Sequence, residues 1–330
     1  MNSSAQPSRR IASNLLWTPQ GLLRNPLVGV AADGRILFVG TCPEPDRSPG
    51  TEFYAGVLAP GLVNAHCHLE LSYLLGAIPE RCGFAGFAGA MSQVRERFSA
   101  EQRAQAVEAA DAAMWQAGIE AVGDISNGDA TFAVKSRSRI AYRTFVEFFG
   151  LRAASAEHLL PLLRHPQTSL TPHSLYSVQD APLRAIAARG DAPLSIHFME
   201  TPAEAELFEQ RGELWEWYRK AGFTCDFLHY GSHHIKFDQA CGLLGTFVDA
   251  YHISGGQVFQ INRPLGRIAV DACGKLCFQL FQNYLINHAF RNIISASGID
   301  RCFFYCRNQR RNCFLAFFIF CLHSCYHVFS

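Results

Sequence analysis

Two histidines one residue apart, His66 and His68, follow the apolar run Pro60-Gly61-Leu62-Val63-Asn64-Ala65. In a β-strand residues i and i+2 point to the same side, so both imidazoles can aim at one point. Convergent neutral imidazoles suit a divalent ion such as Zn²⁺ or Fe²⁺, and the end of a buried strand holds them rigidly. Alone, the pair fits equally a strand end carrying one buried, hydrogen-bonded histidine and one solvated one. The flanks favour the metal: Gly56-Val57-Leu58-Ala59 leads into Pro-Gly, and Leu69-Glu70-Leu71-Ser72 follows.

A third histidine, His197, ends the apolar strand Pro193–Ile196, and Glu200 lies three residues on, where a helix begins. If the strands form a parallel barrel, their C-terminal ends converge, and His197 becomes a third ligand. Three histidines with an open water position are a known zinc arrangement. A buried strand-end histidine and a first-turn carboxylate favoured by the helix dipole are the structural alternatives. His173, in Leu170-Thr171-Pro172-His173-Ser174, stands in a loop after another strand. Glu70 and Ser72 lie just beyond the metal pair, within reach of a substrate's polar groups or of a neighbouring loop.

The elements that must position these groups are legible in outline. Leu27–Val30 and Arg35–Gly40 flank Ala32-Asp33-Gly34, a strong hairpin signal, and belong to a small N-terminal β element. A first barrel strand is expected over 57–65, and others at Ile119–Ile125, Ala141–Phe148, Ser169–Thr171 and 193–198. Ser99-Ala100-Glu101-Gln102 opens a helix with a capping box, and Gly118 ends it. A second helix is expected from Thr201-Pro202-Ala203-Glu204, again a capping box, to the stop at Gly222. Strands alternating with helices indicate parallel βα units.

A chain of 330 residues accommodates one barrel of about 250 residues plus a small appended domain. Its net charge of +1, with signs balanced, excludes an electrostatic footprint for nucleic acid or an anionic membrane. The N-terminus lacks an apolar signal core, so a cytoplasmic protein acting on a small molecule is expected. A homo-oligomer is compatible with the sequence.

With these residues in place, Val57 to Ser72 resembles the first barrel strand of the amidohydrolase superfamily, in its metal-dependent deaminase and chlorohydrolase branch. The stretch continuing through Gly76-Ala77-Ile78-Pro79 is similar to the enzymes that deaminate aminodeoxyfutalosine and adenosine-like thioethers. The likeness extends from about residue 9 to 234. It implies an α/β fold, a (β/α) TIM-type barrel beside a small β-sandwich, and hydrolytic deamination of an amino-purine nucleoside-like substrate. It implies also that His66, His68 and His197 bind one divalent metal, Zn²⁺ or Fe²⁺. Glu200 would carry protons, and His173 would touch substrate, with Glu70 beside it.

The family further expects a histidine in an apolar-apolar-His context at the sixth strand and an aspartate in Gly-Thr-Asp-Ser at the eighth. Neither is assigned: His252 and Asp271 come in plausible order, but their surroundings do not match. At residue 235 the composition also changes. All sixteen glutamates lie at or before Glu216, whereas eight of the twelve cysteines lie in 235–330. No strand-period or helix-period segment is evident there, and the cysteine spacings form no CxxC pair. The organisation is therefore 1–56, a β element; 57–234, an incomplete barrel with the metal site; and 235–330, a non-matching tail. A frameshift or misjoined reading frame accounts for such a tail, and the DNA after codon 234 read in the other frames tests that. A second reading is a non-catalytic metal-binding protein, or one tethered by the apolar run Cys313–Phe329, although seventeen residues are short for a span. An arc of five strands leaves an open edge, which predicts low stability or aggregation.

Overall fold

The computed structural model describes residues 6–79, 82–152, 155–191, 194–197, 201–226, 228, 248–254, 257–261 and 303–305. The chain divides into two compact units, one of residues 1–63, 118–120 and 275–317, the other of 64–117, 121–274 and 318–330.

The first unit is built on β1 (Arg9–Thr18), β2 (Gly21–Arg24), β3 (Pro26–Val30), β4 (Ile36–Thr41) and β5 (Glu52–Ala59). They form one sheet in the order β5-β1-β3-β4, with β2 on β1 and the short strand Phe303–Tyr305 outside β5. The pairs are antiparallel except β1 with β5. The expected hairpin is present. Gly34 takes φ +84°, and the Arg35 N–H donates to Asp33 Oδ1 at 3.1 Å, the two services an Asp-Gly turn provides. Ile11, Leu16, Val28, Val30 and Leu58 bury against one another. The strand expected over 57–65 is in fact two, β5 and β6 (Leu62–Cys67), because Pro60 has no N–H to continue a ladder.

Arg9 grips Glu52 through two hydrogen bonds, of 2.9 and 2.8 Å. The guanidinium, outweighing partial burial, holds the Glu52 carboxyl down at about 2. Because its folded value is depressed, the pair's contribution is complete above the unfolded value of 4.5 and disappears as pH falls towards 2. Both side chains are about two-fifths exposed, so that contribution stays under ~1 kcal/mol. Glu52→Gln should lower the thermal midpoint slightly at pH 7 and leave it unchanged near pH 2, as followed by far-UV circular dichroism.

The second unit holds the barrel-like part. β6 is followed by a 3₁₀ turn, Leu69–Leu74, and by α1 (Gly83–Val94) and α2 (Ala100–Gln116). Next come β7 (Ile119–Ser126), α3 (Phe132–Lys135), β8 (Ala141–Phe148), β9 (Thr168–Pro172), α4 (Asp180–Ala188) and β10 (Leu194–His197). The sheet runs β6-β7-β8-β9, with β7, β8 and β9 parallel, and a parallel bridge between Ser174 and His197 brings β10 beside β9. The capping box forms as expected: Ser99 Oγ accepts the Gln102 N–H, and Gln102 Oε1 accepts the Ser99 N–H at 2.8 Å. Val146, Phe148, Leu170, Leu175, Ile196 and Leu207 lie in the main core, between sheet and helices.

Two expectations change here. The helix drawn from 201 to 222 is two, α5 (Pro202–Phe208) and α6 (Gly212–Ala221), because Gln210 and Gly212 adopt φ of +56° and +82° and break the ladder. Thr201 caps α5 through the Ala203 N–H, one residue earlier than a capping box would, and Gly222 ends α6 in the left-handed region. The tail, in which no strand was expected, contains β11 (Val248–Ser254) and β12 (Gln257–Ile261). β11 pairs parallel to β10, the place of a sixth barrel strand, but β12 returns antiparallel. A parallel core of barrel type is therefore present, without closure of a full barrel among the described residues. No described helix is long and apolar enough to cross a membrane, and Cys313–Phe329 lies outside the described residues.

Candidate metal centre

β6 ends one residue before His68, so His66 is held within the strand and His68 opens the 3₁₀ turn. A close neighbour makes that approach possible. A Cβ on Gly123 would stand 2.7 Å from the Ala65 carbonyl oxygen, so only glycine lets β7 lie against β6 here. The turn is then pinned from below: Asp124 Oδ1 accepts the Leu69 N–H at 2.7 Å, while Oδ2 meets Lys135 Nζ at 2.5 Å. Lys135 also donates to Thr144 Oγ1 at 3.0 Å. Burial pushes the Asp124 carboxyl up, against the pull of Lys135 and the Leu69 N–H.

The imidazoles meet. Ring centroids are 5.2 Å apart for His66 and His68, 5.0 Å for His66 and His197, and 5.2 Å for His68 and His197. One donor nitrogen from each lies within 4.8 Å of the others. His197, 5% exposed, is tied by its N–H to the His173 carbonyl at 2.8 Å, which locks β10 to the end of β9. This donor set fits a Zn²⁺- or Fe²⁺-sized ion: neutral nitrogen ligands from two strands, on the side where parallel strands end.

Glu147, on β8, enters the same cluster. Its Oε1 lies 3.1 Å from His197 Nε2 and 3.9 Å from His173 Nε2, and its Oε2 accepts from Asn127 Nδ2 at 3.1 Å. Burial by itself would raise this carboxyl, yet His173, His197 and His68 hold it at about 2. His173 Nδ1 faces Ser177 Oγ at 2.6 Å and Ser174 Oγ at 3.0 Å, and its ring stacks on Phe149 at 3.8 Å. Glu70 is engaged by the neighbouring loop: Asn127 donates through Nδ2 at 2.9 Å and through its backbone N–H at 3.0 Å. Burial raises its carboxyl. Ser72 Oγ donates to the Leu69 carbonyl, closing its own turn. Glu200 and Asp271 lie outside the described residues, and His252 stands in β11 opposite Phe259.

The structure thus brings His66, His68, His197 and His173 together, with Glu70 at the edge. Sequence reasoning missed Glu147, Asp124 and Lys135. A partial signal existed for the acids, each a carboxylate within three residues of the C-terminal end of a largely buried strand, where burial demands a partner.

No family profile and no curated protein matches the chain. Solved structures do. The Helicobacter pylori aminofutalosine deaminase in complex with methylthio-coformycin aligns over 74% of this chain and 69% of its own, at 21% identity and a TM-score of 0.58. The chain shares that deaminase's fold. A second structure of the same enzyme gives 20% identity over 73% of this chain and 68% of its own, with a TM-score of 0.57. A triazine hydrolase variant aligns over 74% of this chain and 65% of its own, at 16% identity and a TM-score of 0.51.

Proposed function

We propose that this chain is an amidohydrolase-type, metal-dependent hydrolase of the deaminase branch. It replaces the amino group of a purine nucleoside-like compound, aminodeoxyfutalosine or a relative, by water and releases ammonia. The observation that supports this most is the convergence of His66, His68 and His197, from two separate strands, on the end of a parallel sheet. One divalent ion, Zn²⁺ or Fe²⁺, would be held by these three; bound there, it supplies Lewis acidity and lowers the pKa of water to near 7.

The remaining work belongs to the chain's own groups. His173, stacked on Phe149 and oriented by two serine hydroxyls, presents Nε2 towards the centre as a contact for substrate. Glu200, three residues beyond His197, is the proton carrier between water and the ring nitrogen, and Glu70 is a polar contact at the rim. The domains are the 1–56 element, the 57–234 catalytic part and the 235–330 tail of altered frame. The protein works in the cytoplasm on a small molecule, with neither nucleic acid nor membrane as partner.

The test is metal analysis of the purified full chain together with ammonia release from aminodeoxyfutalosine and methylthioadenosine. Bound Zn²⁺ or Fe²⁺ lost on His68→Asn, and ammonia release that follows the metal content, are expected. A chain that binds the ion but releases no ammonia from either compound is a metal-binding protein without this activity.

A further inference from the structure

Phe148 and Phe149 leave the end of β8 together and are placed very differently. Phe148 is 1% exposed and belongs to the main core, whereas Phe149 is 49% exposed. An isolated exposed phenyl ring is ordinary on a protein surface; what surrounds Phe149 is not. The His173 N–H donates to the Phe148 carbonyl at 3.0 Å and the Gly150 N–H to the Ser177 carbonyl at 2.8 Å, so the backbone on both sides of Phe149 is tied to the loop that carries His173. The phenyl ring then lies flat on the His173 imidazole, with centroids 3.8 Å apart and planes 26° from parallel. Ser177 Oγ at 2.6 Å and Ser174 Oγ at 3.0 Å both engage Nδ1, which leaves Nε2 as the working edge of that imidazole. The stack stands where parallel strands end, the side on which such sheets receive ligands.

We propose that Phe149 is a stacking platform that touches the substrate and sets the site's preference for a planar heteroaromatic ring. The N–H or lone pair of an imidazole nitrogen lies in the ring plane, and its hydrogen bond follows that direction. A flat ring that meets Nε2 edge-on therefore extends the imidazole plane, over the same face of Phe149. At a hydrogen bond of ~2.9 Å the centre of that ring comes within roughly 7 Å of the Phe149 centroid, the reach of an offset aromatic pair. A phenyl face is partly negative and attracts an electron-poor nitrogen heterocycle; a saturated ring or an open-chain amine gains none of this. Because Phe149 already stacks on His173, the platform is formed before the ligand arrives and little further ordering is needed. The proposal rests on the hydrolytic reading only in taking His173 as a substrate contact.

Isothermal titration calorimetry of the Zn²⁺-loaded full chain tests this with two probes: methylthioadenosine, and methylthioribose, which keeps the sugar and thioether without the base. Phe149→Leu, which retains apolar bulk but no π face, should weaken methylthioadenosine binding by ~10-fold and leave methylthioribose unchanged. Phe149→Tyr should keep the affinity of the unaltered chain. The half-exposed position lets both variants fold. In a His173→Asn background, Phe149→Leu should still weaken methylthioadenosine binding, because a direct contact does not act through the imidazole. No further loss there makes Phe149 a support of His173 alone and overturns the proposal. So does a Phe149→Leu chain, with native circular dichroism and full Zn²⁺ content, that binds methylthioadenosine as the unaltered chain does, and so does absence of binding to the unaltered chain. Phe149-dependent binding without ammonia release leaves the platform standing and defeats the hydrolytic reading; ammonia release with no dependence of binding on Phe149 does the reverse.

Discussion

Replacing Asp124 by asparagine should destabilise the barrel unit by about 3–5 kcal/mol, the cost of breaking a buried ion pair from one side. Lys135 and Asp124 are 6% and 0% exposed, so the ammonium left behind has no access to water. Its remaining hydrogen bond, to Thr144, is to a neutral hydroxyl. Asparagine can still accept the Leu69 N–H through its amide oxygen, and this sets the variant apart from Asp124→Leu, which removes the anchor of the turn after His68 as well. Urea unfolding followed by far-UV circular dichroism measures both. The double change Asp124→Asn/Lys135→Met removes both charges, keeps an acceptor for the Leu69 N–H and should recover most of the loss. A loss under ~1 kcal/mol for Asp124→Asn would mean that water reaches the pair and that the turn after His68 is held by something else.

The same pair shows where sequence reading reaches its limit. His66, His68 and His197 were legible because period two and strand ends place side chains by local rules, and the structure brings all three together. Asp124, Lys135 and Glu147 obey no local rule. Their roles arise from contacts between residues 11 to 55 positions apart along the chain, and a carboxylate near the end of a buried strand says only that some partner must exist. The Ser99 capping box and the Asp33-Gly34 turn were readable for the reason the histidine pair was, being complete within four residues. The break at Gln210 was not, since a left-handed glutamine has no sequence signature. In the tail, Gly255-Gly256 between two short runs of β-formers is a two-residue hairpin signal, masked by the change of composition around it. Likewise Phe227-Leu228-His229 has the apolar-apolar-His context sought for the sixth strand; His229 lies outside the described residues.

Ammonia release by the full chain should be slow, about 10²–10⁴-fold below the ordinary enzymatic turnover of about 10 s⁻¹, the factor that one positioned proton-transfer group contributes. The reason lies in what each carboxylate is already doing. Asp124 is neutralised by Lys135, and Glu70 is bound by Asn127, so neither can take the proton of attacking water without breaking a partner. Glu147 is likewise engaged, by His197 Nε2 at 3.1 Å and by Asn127 Nδ2 at 3.1 Å. No Gly-Thr-Asp-Ser sequence occurs in the chain to supply the aspartate that the resemblance expects. Glu200 would then serve both proton transfers alone. His197→Ala should abolish what activity remains, since it withdraws one ligand from the three-histidine seat and unties the end of β10 from His173. Steady-state ammonia assays of the unaltered chain and of His197→Ala, each loaded with Zn²⁺ and checked for metal content, give the comparison. Turnover near 10 s⁻¹ in the unaltered chain would show that a described or tail residue already fills the aspartate's place.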